Sequence, residues 1–150
     1  MGGGTAAGTT LSVSAGKPAT SDAAGYAALT WTEVGGVEKL GVIGATVNKT
    51  EFLLLKGTKL KMKGSADHGT LQPNMLSDAA DAGQTIIRTF ADPDNKAEMS
   101  VKLTYPDGAI RYSGGPVFGS PENVDGADAA LTETPTIELT RKIIKVAAPS

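Results

Sequence analysis

Residues 97–113 limit the possible folds more than any other stretch of this chain. Ala97, Met99, Val101, Leu103 and Tyr105 alternate with Glu98, Ser100, Lys102 and Thr104. Successive side chains of a strand point to opposite faces, so this spacing suits extended backbone with an apolar side and a polar side. Pro106-Asp107-Gly108 follows. Proline presets φ for a turn, aspartate hydrogen-bonds its own backbone, and glycine accepts positive φ. Ala109-Ile110-Arg111-Tyr112-Ser113 then resumes the extended pattern. The segment predicts a β-hairpin with one buried face.

Other segments extend the β reading. Thr10-Leu11-Ser12-Val13-Ser14 alternates, and Leu29 to Val34 reads as a strand stopped by Gly35-Gly36. Asp22 to Leu29 has room for one helical turn, interrupted by Gly25. In Lys59-Leu60-Lys61-Met62-Lys63 the lysines share one face and Leu60 and Met62 the other. Thr70-Leu71-Gln72 continues a sheet up to Pro73, which cannot donate to a ladder. One helix is expected after a cap at Ser77 or Asp78, with Asp78 and Asp81 at its positive end. Its apolar stripe is Ala79, Ala82, Ile86, Ile87 and Phe90, and Asp92-Pro93-Asp94-Asn95 ends it. Residues 114–135 read as a Gly/Pro-punctuated acidic loop opening with a strand at Val117-Phe118. Thr136 to Thr140 and Arg141 to Val146 read as closing strands, the latter with a bulge.

Residues 37–58 resist assignment. A stretch this long in a small domain is usually functional or disordered. Its Val42, Ile43, Val47, Phe52, Leu53, Leu54 and Leu55 argue against disorder, and a partner subunit is a natural cover for them. Residues 1–8 read as a flexible Gly/Ala arm. The expected layout is an arm and first strand over 1–16 and one β domain over 17–150, a size that suits a single core. The fold class is mainly β, a two-sheet sandwich or open barrel with one flanking helix.

Chemistry is hard to find. With 16 acidic and 14 basic residues the net charge is −2, and no surplus of Lys and Arg is available to grip phosphates. There is no cysteine, hence no disulfide or thiolate site, and no apolar run long enough to span a bilayer. The start Met1-Gly2-Gly3-Gly4-Thr5-Ala6 fits neither a signal peptide nor a myristoylation site, so neither classical export nor lipid anchoring is expected. His68 is the single histidine, and Asp67-His68 before Gly69 reads as a loop, because a zinc site needs three or four ligands. No G-x-S-x-G elbow, Walker loop or G-x-G-x-x-G occurs. Asn48-Lys49-Thr50 matches a glycosylation acceptor only incidentally. The acidic stretch Glu122–Glu133 lacks calcium-loop spacing and reads as a solvated loop. Lys59, Lys61 and Lys63 lack interleaved aromatics for base stacking. No catalytic residue, cofactor or metal ligand is predicted, and the chain is not expected to be an enzyme.

Several segments, taken in order, resemble a known family. They are Pro18-Ala19-Thr20 with Asp22 to Gly35, Lys63-Gly64-Ser65-Ala66-Asp67-His68-Gly69-Thr70-Leu71, and the helix start Ser77 to Gln84. The hairpin Leu103 to Tyr112 follows, then Asn123-Val124-Asp125-Gly126 and Thr134 to Thr140. Over about residues 17–146 the chain is similar to the tail tube, or major tail, proteins of long-tailed bacteriophages and related phage-like particles. It also resembles the inner tubes of contractile tails and type VI secretion systems. The resemblance implies six copies in a ring whose inner sheets join into a barrel, with rings stacking around a tape measure protein. It further implies contacts with tail terminator and initiator or distal tail proteins, non-specific passage of double-stranded DNA through the lumen, and no membrane partner. Such a protein sits in the virion tail after assembly in the bacterial cytoplasm. Gene-transfer and secretion-like particles share the pattern. Some family members carry a further immunoglobulin-like domain, for which this sequence is too short, and Pro73 breaks the strand before the helix. The alternative reading is a stand-alone ligand-binding or adhesin-like β-sandwich. Such modules display aromatic side chains, whereas this chain has one Trp and three Tyr, with Trp31 expected in the core.

Overall fold

The computed structural model describes residues 6–149. Most of the expected N-terminal arm, positions 1–5, lies outside the described residues. At its end the Thr9 N–H donates to the Ala6 carbonyl, closing a turn.

The chain begins with β1 (Thr10–Ser14), α1 (Ala23–Ala27), β2 (Thr32–Glu33) and β3 (Val37–Lys39). A long pair follows, β4 (Thr46–Leu53) and β5 (Lys59–Asp67), then the short β6 (Thr70–Leu71) and β7 (Asn74–Leu76). After α2 (Ala82–Ala91) come the hairpin strands β8 (Glu98–Thr104) and β9 (Ile110–Pro116). Four short strands close the chain: β10 (Glu122–Asn123), β11 (Thr132–Glu133), β12 (Ile137–Glu138) and β13 (Ile144–Val146).

The protein is mainly β, as expected, and every strand pair is antiparallel. The main sheet has the order β13-β9-β8-β1-β2. A second sheet runs β10-β11-β7-β3, and β12 pairs with β6. The register sets Leu11 opposite Leu103 and Val13 opposite Val101, so these four side chains share one face of the main sheet with Met99. That face packs with Leu71, Met75, Ile137, Ile87 and Phe90 from the other layer, all buried. Thirteen residues form this core, which explains why a sequence so poor in aromatics still folds: aliphatic residues on alternating positions fill it.

The predicted hairpin is present, but both of its faces are covered. β8 turns Met99, Val101 and Leu103 to the main core, while β9 presents Arg111, Ser113 and Gly115 on that side. The apolar residues of β9, Ile110 and Tyr112, face the other way. There Tyr112 stacks on Tyr26 of α1, with centroids 5.1 Å apart, and Trp31 lies 5.7 Å from Tyr112. Trp31 also donates to the Tyr26 carbonyl at 2.9 Å. It is half-buried in this aromatic cluster, just ahead of β2 and outside any strand.

The helices begin where side chains can cap them. Asp22 accepts the Gly25 N–H at 2.8 Å, so Gly25 lies inside α1 and does not interrupt it. The cap of α2 is Asp81, three or four residues later than the predicted Asp78 or Ser77. Its carboxylate accepts the Gln84 N–H at 2.9 Å and also the Gly35 N–H at 3.1 Å, tying helix to loop. Ala79 therefore falls outside the helix. α2 lies across β1 and β2. A side chain at Gly83 would come within 2.5 Å of the Glu33 carbonyl, so a glycine is required for that close approach.

Candidate assembly surface

The stretch 37–58 is not a loop. It holds β3 and β4, and β4 pairs with β5 from Thr46↔Asp67 to Leu53↔Lys59 to make a two-stranded arm. The lysine-rich strand predicted over residues 59–63 runs on to Asp67. Every residue of both strands is exposed. Among the described residues, seven of the twelve large apolar side chains that are exposed lie between Val47 and Met62. Leu55, at the tip, is 108% exposed.

The register sorts the arm into two faces. Phe52 sits opposite Leu60 and Thr50 opposite Met62 on one face, and the register shifts by one residue between Val47 and Lys49. The other face carries Lys49, Glu51 and Leu53 opposite Lys63, Lys61 and Lys59. Lys49 reaches Glu51 at 3.0 Å, but Lys49 and Lys63 are directly opposite, an unfavourable placement of like charges. The alternation in 59–63 is legible in the sequence. Its partner strand was not, because Glu51-Phe52-Leu53-Leu54-Leu55 shows no period of two.

At the foot of the arm lies an open cleft of about 630 Å³. Ile43, Tyr105 and Ile143 supply its apolar walls, and Arg111, Lys142 and Lys145 its charge. His68, half-buried, also borders it, and its Nδ1 has no hydrogen-bond partner. Asp67 does not bond His68; it accepts the Gly69 N–H at 2.9 Å, so this pair is a tight turn as expected. Among the described residues no group of three or more His, Cys, Asp or Glu is placed to hold a metal, and no helix is long and apolar enough to cross a membrane.

The acidic stretch divides in two. Residues 121–131 are exposed, with Glu122, Asp125 and Asp128 around Val124, itself 77% exposed. Glu133 behaves differently from the solvated residue expected, for it is only 1% exposed. Arg88 of α2 meets it at 2.7 Å, and the hydroxyls of Ser77 and Ser120 donate to it at 2.7 and 2.9 Å. Burial pushes the Glu133 carboxyl up, but the hydrogen bonds from Arg88, Ser77 and Ser120 outweigh it and hold the group below its ordinary range. The same contact raises Arg88. Glu133 thus pins the root of the acidic loop, β10 holds Glu122 and Asn123 beside β11, and residues 124–131 lie beyond that ladder.

Neither a family model nor a curated protein sequence matches this chain. Solved structures do match its fold. A chain from the sheath/tube terminator of PVC, an extracellular contractile injection system, in the extended state gives a TM-score of 0.59 at 12% identity, with 93% of each chain covered. A chain from the PVC sheath-tube complex in the extended state gives 0.61 at 11% identity, covering 93% of this chain and 88% of that one. The 6-fold symmetrised baseplate of the anti-feeding prophage, AFP, gives 0.61 at 8% identity, covering 95% and 94%. At these identities the likeness is one of fold, and it extends over nearly the whole of each chain.

Proposed function

We propose that this chain is a structural, non-catalytic subunit of a phage-tail-like particle, and that copies of it form rings which stack into the tail tube. The observation that carries the reading is the β4–β5 arm. A two-stranded hairpin is marginal in water on its own. This one exposes both faces and both outer edges, with Phe52, Leu60 and Met62 uncovered. Unpaired edges invite further strands, and ring closure removes them by joining sheets between neighbours. Burying a side chain such as Phe52 or Leu60 contributes about 1.5–3 kcal/mol, so a few such contacts per subunit suffice to drive assembly.

The fold shared with components of contractile injection systems supports the class of particle. The sequence resemblance to tail tube proteins supports six copies per ring, a tape measure protein inside, terminator and distal proteins at the ends, and DNA passage through the lumen. In this reading ring stacking is head-to-tail and propagates, and the finished protein resides in the particle.

The test is negative-stain electron microscopy with sedimentation of the purified protein at high concentration. Rings or hollow tubes wide enough for a DNA duplex are expected. A chain that stays monomeric even with its initiator and tape measure proteins present would overturn the proposal.

A further inference from the structure

Arg111 and Lys145 sit directly opposite each other on β9 and β13, on the rim of the cleft at the foot of the arm. Like charges facing across a ladder destabilise it, and no carboxylate among the described residues lines the cleft. Neither residue, nor the neighbouring Lys142, makes an ion pair among the described residues. Arg111 is nevertheless held in place. Its guanidinium lies 5.0 Å from the Tyr105 ring and donates to the Ile110 carbonyl at 3.1 Å. A preset, uncompensated cationic rim beside the apolar walls of Ile43 and Ile143 suits a segment that is both acidic and apolar.

The chain itself contains such a segment. Glu122, Asp125 and Asp128 are exposed and unpaired among the described residues, and Val124 projects between them. The segment is anchored at its root by Glu133, and no atom lies within 4 Å of where a side chain would start at Gly119 or Gly126. We propose that the Arg111/Lys142/Lys145 cleft of one copy receives the acidic segment 121–131 of the next. Val124 enters between Ile43 and Ile143, and the carboxylates offset the Arg111–Lys145 repulsion. Socket and plug are different surfaces of one chain, so the contact is heterologous and propagates from copy to copy. The inference rests on the tube reading and specifies one of its subunit contacts.

The experiment is a charge swap. Lys145→Glu places a carboxylate opposite Arg111, so the isolated subunit should melt at or above the wild-type temperature. It should also raise the concentration needed for assembly about tenfold or more. Reversing Glu122 and Asp125 to lysine in the same chain should restore assembly. A labelled peptide spanning 119–131 should bind wild-type protein saturably and lose that binding in Lys145→Glu, whether or not the chain assembles. Assembly of Lys145→Glu at the wild-type concentration would overturn the inference, and so would failure of the reversed loop to rescue. Loss of binding to a short DNA duplex without loss of assembly would assign the cleft to phosphates instead. Peptide binding by a wild-type chain that never assembles would retain the contact and remove the tube reading.

Discussion

At the scale of single residues, Glu133 separates buried, structural charge from the exposed charge of the same stretch. Its position in an acidic, Gly/Pro-rich stretch suggests solvent exposure, yet it is buried and bonded to Arg88, Ser77 and Ser120. A carboxyl held below its ordinary value of about 4.5 contributes stability that is fully present above that value and is lost as pH falls through the folded-state value. Replacing Glu133→Gln leaves Arg88 without its counter-ion, at a cost of about 2–4 kcal/mol near pH 7. Denaturant melts of both proteins should show that gap at neutral pH and a smaller one at acid pH, once Glu133 is protonated in the folded state. An equal gap at both pH values would mean that the Glu133 charge is not what stabilises the loop root.

At the scale of elements, the β8–β9 hairpin and the β4–β5 arm show opposite relations between pattern and environment. Clean alternation at 97–105 marks a strand whose Met99, Val101 and Leu103 are buried within the subunit. In the arm the alternation survives only in β5, and its apolar residues find no cover among the described residues. The pair Phe52 and Leu60 is therefore free to change without harm to the fold. Substituting both with threonine should alter the subunit's own stability by less than about 0.5 kcal/mol. The same change removes two apolar anchors from the proposed contact between copies and should raise the assembly concentration by at least about tenfold. Tubes that form at the wild-type concentration would remove the arm from the interface.

At the scale of the whole molecule, the chain divides into a packed two-layer body and surfaces that none of the described residues covers. Stability follows packing, so exchange of backbone hydrogens should divide the same way. Amides of Val101 and Leu103 should exchange slowly in the free subunit and in tubes alike. Those of residues 46–67 should exchange quickly in the free subunit and become protected on assembly. Equal exchange of the arm in both states, read by mass spectrometry, would contradict its proposed place between subunits.

Local chemistry was enough for the sequence to specify the mainly β class, β1, the β8–β9 hairpin and its turn, and the existence of α2. In each of these a period of two, a turn triplet or a helical stripe lies within a dozen residues. The helix cap was displaced from Ser77 or Asp78 to Asp81 because Asp81 serves two partners, the Gln84 and Gly35 N–H groups, and Gly35 is 46 residues away. The sequence shows no sign of the short strands β7, β10 and β11, for a related reason. They are two or three residues long, and β7 and β11 exist only because segments far along the chain complete their ladders. No carboxylate in the sequence announces whether it will face water or Arg88, and no lysine announces whether its cross-strand neighbour will be Glu51 or another lysine. Tertiary structure alone decided these, because register and burial are set by contacts between segments far apart along the chain.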